Sequence, residues 1–234
     1  MFQWLKRIQA AATEAEEVIH FFEQMLEDGR HVFDLAANSL LGGTDPEIVK
    51  QDIWETDRRI NRTERRIRRR IVTHIATHGG ANVSGDLVLM SLVKDAERIG
   101  DYSKNLFDLA LLGRGFPTEV RADLVELRAT MSRMLAKARN IYSTEDEDDA
   151  RAFIAQAEGI SRHCDNRTEA MVVREDTDGL SANSALAYRY FKRINAHAMN
   201  IITSLLVPVD RLDYYDEDEK GRDLESPDAP ERDE

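Results

Sequence analysis

Three features of the sequence predict an all-α protein built as two tandem three-helix bundles, followed by a disordered acidic tail. Apolar residues recur every three or four positions over long stretches, the period of a helix with one buried face. Only five prolines and twelve glycines occur in 234 residues, and they gather between those stretches. The second half then repeats the plan of the first, three long periodic segments after a Gly/Pro break. The expected units are residues 1–113, 114–209 and 210–234.

Composition narrows the class further. The length suffices to bury a core without staples. A single cysteine, Cys164, excludes an internal disulfide and suits a reducing compartment. Met1–Ile8 is too short and mixed for a secretory leader, and no apolar run reaches the length of a membrane span. The expectation is a cytoplasmic protein. Of the net charge of −12, the stretch Asp210–Glu234 carries −8, from 12 acidic and 4 basic residues. That segment reads as a solubilising, disordered tail.

Helix one is expected from about Trp4 to Leu40, with Ile8, Ala12, Ala15, Ile19, Phe22, Leu26, Phe33, Ala36 and Leu40 as its buried stripe. Phe2, Trp4 and Leu5 read as a helix end folded back on the bundle. Gly42-Gly43 stops this helix, and Thr44 or Asp45 caps the next, with Pro46 in its first turn. Helix two runs to about Thr77 on Ile53, Ile60, Ile67, Ile71 and Ile75, helped by Val49 and Trp54. Ser84 is expected to cap helix three, which ends at the Gly113–Pro117 connection. Helix four is expected at about Thr118–Tyr142. Helix five, opened by Ser143 or Thr144, has Phe153, Ala157, Ile160, Cys164, Met171 and Val172 inside. After the turn at Asp178–Ser181, helix six runs from about Ala182 to Leu206, before Pro208.

Helix three carries the chemistry. Leu92, Ala96, Ile99, Ser103, Leu106 and Ala110 form its apolar face, and Glu97, Asp101, Asn105 and Asp108 form an opposite stripe. Glu97 and Asp101 sit one turn apart, where like charges cost a few tenths of a kcal/mol in an isolated helix. A cation would reverse that cost; so, more simply, would Lys94, Arg98 and Lys104. Gly100 lies between them, although glycine inside a helix is about 1 kcal/mol worse than alanine. It makes sense where another helix approaches closely.

Two local matches strengthen the duplication. Asn61-Arg-Thr-Glu64 recurs as Asn166-Arg-Thr-Glu169, and Glu97–Asn105 lines up with Lys192–Asn200, retaining Arg, Ile and the later Asn. On Glu97-Arg98-Ile99-Gly100-Asp101, followed by Asn105, the chain resembles the PhoU family of phosphate-uptake regulators over about residues 8–207. The resemblance implies a metal site shared by Glu97 and Asp101 with Asp57 and Asn61 of helix two. It implies iron clusters or another hard divalent ion, with magnesium, manganese and zinc all open. In the second repeat the carboxylate positions are Lys192 and Ala196 and the glycine position is Asn195, so a metal is expected in the first repeat alone. Asp165, Glu169 and His197 stand nearby but make no convincing site. Lys192 is instead a candidate built-in cation.

The resemblance further implies a negative regulator acting through protein contacts. Its partners would be the ATPase of an ABC-type phosphate importer and the histidine kinase that senses phosphate. Two alternatives are an accessory subunit of a sodium/phosphate or other phosphate permease, and a metal-sensing bundle unrelated to phosphate. Homodimer formation stays open. No enzyme motif is present: there is no Glu-x-x-His pair, no phosphate loop, and the six histidines are scattered. Eight arginines crowd Arg58–Arg70, with Arg58, Arg62, Arg65 and Arg69 on one face. They read first as a solvated face balancing acidic neighbours, and otherwise as a partner-binding surface. Nucleic acid is not expected, since the chain is acidic and no aromatics interleave the arginines.

Overall fold

A computed structural model describes residues 12–78, 83–173, 179–208 and Leu212. Among them are six helices and no strand: α1 Ala12–Leu40, α2 Pro46–His78, α3 Val83–Leu111, α4 Thr118–Thr144, α5 Glu147–Val172 and α6 Leu180–Thr203. No helix here is long and apolar enough to cross a membrane. Phe2, Trp4, Leu5, Ile8 and the acidic tail from residue 213 onward fall outside the described residues.

Helix starts follow local chemistry. The Asp45 carboxylate accepts the Glu47 N–H at 3.0 Å and so caps α2. Helix α5 is capped by Asp146, whose carboxylate accepts the Asp149 N–H at 2.9 Å. Neither Ser143 nor Thr144 does this, because both still belong to α4; the break falls at Glu145, which takes a left-handed conformation at φ 54°. Ser84 is likewise not a cap, since α3 already begins at Val83. Helix α6 starts two residues before the expected position, after Gly179 at φ 74°, and ends at Thr203 rather than Leu206.

The two repeats share a core. Helix α1 packs on α2, α3 and α4, while α6 packs on α3, α4 and α5, leaving α2 and α5 as outer helices. One continuous apolar cluster runs through all six. Phe33 of α1 meets Phe191 of α6 edge-on at 5.5 Å, and Phe22 of α1 meets Tyr142 of α4 at 4.6 Å. Polar ties cross the same boundary: Arg121 of α4 donates to the Leu41 carbonyl at 2.7 Å, covering an orphan acceptor at the end of α1.

Close approach is built in by glycine. A Cβ on Gly29 of α1 would stand 3.1 Å from Ile99 of α3, and one on Gly100 of α3 would stand 3.1 Å from Ile60 of α2. Helix α2 buries a narrow stripe, with Ile53, Ile60 and Ile67 fully enclosed. Their seven-residue spacing keeps one seam facing α1 and α3. Trp54 is therefore not core: one residue round from Ile53, it is 56% exposed. Val172, expected inside, is also exposed, because α5 reaches its last turn there.

Candidate functional site

The four expected site residues line the seam between α2 and α3. These helices run antiparallel, so the stripe Asp57, Asn61, Glu64 faces the stripe Lys104, Asp101, Glu97 in that order. At one end Lys104 Nζ lies 2.8 Å from Asp57 Oδ1 and 3.3 Å from Asp101 Oδ1, bridging the helices. In the middle Asn61 donates to Asp57 Oδ2 at 3.3 Å. At the other end Lys94 Nζ donates to Glu97 Oε2 at 2.7 Å, and Arg68 Nη2 lies 3.1 Å from Glu64 Oε1. Arg98 stands between Glu97 and Asp101 at 3.9 and 3.8 Å.

Burial makes this charge arrangement consequential. Glu64 and Glu97 are both buried, whereas Asp57 and Asp101 open onto a cleft also lined by Trp54, Tyr102, Asn105 and Asp108. Burial raises the pKa of the Glu97 carboxyl, the bond from Lys94 opposes this, and the charges of Asp101 and Glu64 add to the rise. Burial works against the Lys104 ammonium, yet its bonds and charge contacts to Asp57 and Asp101 outweigh this and raise its pKa. Glu64 belongs to the seam but was not picked out from the sequence as a site residue. Its signal was there, in the repeated Asn-Arg-Thr-Glu run.

A hard cation asks for several oxygen ligands converging at about 2.0–2.6 Å. Among the described residues no three Asp, Glu, His or Cys side chains gather to hold one. Lys104 already holds the position between Asp57 and Asp101, and Lys94 and Arg68 take the inner carboxylates. The donor set, as folded, does not fit a resident metal.

The second repeat answers the same structural need differently. Lys192 donates to Asp165 Oδ1 at 2.6 Å, tying α6 to α5. Asn195, at the glycine position, is fully buried and donates to the Ala157 carbonyl at 2.7 Å and to Ser161 Oγ at 3.0 Å. His197 turns away from that seam: its Nδ1 is 2.8 Å from Asp95 Oδ1 on α3, and its ring stacks on Tyr102. Glu169 is exposed. A hub that the sequence did not reveal joins α4, α5 and α6, where Asp123 accepts from Tyr188 and pairs with His163 and Arg167 at 3.0 and 3.2 Å. Burial pushes the Asp123 carboxyl up, but these partners outweigh it and hold its pKa below the ordinary value. Cys164 is buried, and its thiol is pushed up to about 12, which keeps it protonated and unreactive.

The arginine segment of α2 divides in two. Arg59 pairs bidentately with Asp28 at 2.7 Å, Arg66 and Arg70 share Glu17, and Arg68 takes Glu64. Arg58, Arg62, Arg65 and Arg69 are exposed, and none pairs with a carboxylate among the described residues.

Comparison with known proteins adds a domain match and a shared fold. Residues 22–110 match the PhoU domain. The structure is similar to that of PhoU from Pseudomonas aeruginosa, with a TM-score of 0.73 and 22% identity, over 83% of this chain and 98% of that one. It is also similar to the phosphate transport system regulatory protein PhoU from Streptococcus pneumoniae, with a TM-score of 0.66 and 16% identity, over 85% of this chain and 95% of that one. No curated protein sequence matches.

Proposed function

Because residues 22–110 match the PhoU domain, we propose that the chain regulates phosphate uptake and phosphate homeostasis through protein contacts. The observation that carries the reading is the signature Glu97–Asp101 set on α3 against Asp57, Asn61 and Glu64 of α2, inside a six-helix fold similar to PhoU along most of both chains. Its partners are the ATPase of an ABC-type phosphate importer and a phosphate-sensing histidine kinase, met at the cytoplasmic side of the membrane. It represses both when phosphate is plentiful. The titratable clusters beyond the seam tie helices together, so the reading assigns the chain no catalytic step.

The contact surface in this reading includes the exposed arginine face of α2. Arg58, Arg62, Arg65 and Arg69 bring four guanidinium groups to an otherwise acidic protein, and such a face steers association with an acidic partner. A second reading makes the chain an accessory subunit of a phosphate permease. It is favoured by the second repeat, where Lys192 and Ala196 replace the signature carboxylates, as in a divergent copy given a narrower task.

Affinity purification from native cells, in phosphate-rich and phosphate-starved medium, separates these readings. Capture of an importer ATPase or a sensor kinase supports the regulator. Capture of a permease alone moves the chain to the accessory class. Neither under both conditions sinks the phosphate reading.

A further inference from the structure

We propose that Lys104 and Lys192 are the resident cations of the two helix seams, so that this chain holds its outer helices without metal. The corollary is that the folded chain is as stable stripped of divalent cations as in their presence, and that removing the Lys104 ammonium weakens the first seam in both conditions. The inference rests on seam geometry and stands whatever partner the protein regulates.

Among the described residues, Lys104 is the one cation in the first seam that reaches carboxylates on both helices, at 2.8 Å to Asp57 on α2 and 3.3 Å to Asp101 on its own helix. Its ammonium supplies three donors, and two of them close the gap that would otherwise leave like charges facing each other. Asp57 is further fixed by the Asn61 amide at 3.3 Å. An entering dication would have to expel this ammonium from both carboxylates before it gained its own ligands. Lys192 makes the matching bond in the second repeat, from the third helix of the repeat to an aspartate on the second, at 2.6 Å to Asp165.

The two lysines are not equivalent by repeat. Lys192 occupies the position that Glu97 holds in the first repeat, whereas Lys104 lies two helical turns further along. The repeats thus reach the same result from different registers: a lysine on the third helix and an aspartate on the second. With the donor set already consumed in this way, the seam is closed as the chain folds.

The test uses the full-length protein, stripped with chelator and then titrated with Mn²⁺, comparing wild type with Lys104→Met, which keeps the stem and removes the charge. Thermal unfolding and the loss of the free Mn²⁺ electron-spin signal are the readouts. The wild-type melting temperature is expected to be the same after chelation and after Mn²⁺ addition. Lys104→Met is expected to melt lower than wild type, by the same amount when stripped and with Mn²⁺, and neither protein is expected to diminish the free Mn²⁺ signal. A wild type that loses stability on chelation overturns the proposal, as does a Lys104→Met variant that melts as wild type does. Should Lys104→Met not fold, Asp57→Asn decides. It is expected to lower the melting temperature equally with and without Mn²⁺, and a drop seen only with Mn²⁺ present overturns the proposal.

Discussion

Gly100 lets Ile60 of the neighbouring helix pass 3.1 Å from the point where a Cβ would stand. Ile60 is fully buried, so it has little room to withdraw. Alanine at position 100 gains about 1 kcal/mol of helix propensity and loses a similar amount to this contact. Leucine cannot be absorbed. Gly100→Leu is expected to cost about 1–3 kcal/mol through overpacking, read as a lower urea midpoint, with Gly100→Ala near wild type.

Phe191 joins the repeats through Phe33, so its loss is felt by the whole molecule. Phe191→Ala is expected to cost about 3–5 kcal/mol and to lower the melting temperature by roughly 2–4 °C for each of those. Unfolding should remain one transition, since α1, α3, α4 and α6 share a core. By the same argument residues 1–113 alone expose Phe22 and Phe33, and that fragment should lack a cooperative melt by circular dichroism. A sharp melt in the fragment would instead make the first repeat an independent domain.

Glu97 and Asp123 predict opposite pH behaviour. The raised pKa of Glu97 means that its charged form is disfavoured by folding, so stability is gained as pH falls through the folded value. Glu97→Gln should therefore raise the neutral-pH melting temperature, with a gap that closes on acidification. Asp123 has a lowered pKa, so it stabilises above its unfolded value and that stability is lost as pH falls through the folded one. Asp123→Asn should cost about 1–3 kcal/mol at neutral pH, by leaving Tyr188, His163 and Arg167 poorly matched, and nothing in strong acid. Melting curves of the three proteins across the acidic range check both signs.

Arg62 and Arg65 are exposed and pair with no carboxylate among the described residues. The double change Arg62→Glu with Arg65→Glu should alter stability by no more than about 0.5 kcal/mol. Partner capture should fall at least about ten-fold if this face is the contact surface, a difference of about 1.4 kcal/mol. Unchanged capture would return the arginines to a solvated face.

By itself the sequence determined the six helices, the Gly/Pro breaks and the facing of Glu97 and Asp101 on one stripe. These are local matters: apolar spacing, turn residues and the pitch of a helix settle them within a few turns. Even the need for a small residue at position 100 could be read there. Tertiary structure alone decided what those stripes meet. Trp54 looked apolar enough for the core, but the seven-residue stripe of Ile53, Ile60 and Ile67 left it outside. Glu64 entered the seam, and Lys104 came to lie across it, because the antiparallel offset of α2 and α3 set Glu64 opposite Glu97 and Lys104 opposite Asp57. That offset is fixed by tertiary contacts such as the buried Ile60 of α2 packing over Gly100 of α3. Periodicity says which face is buried, and packing says against what and in which register.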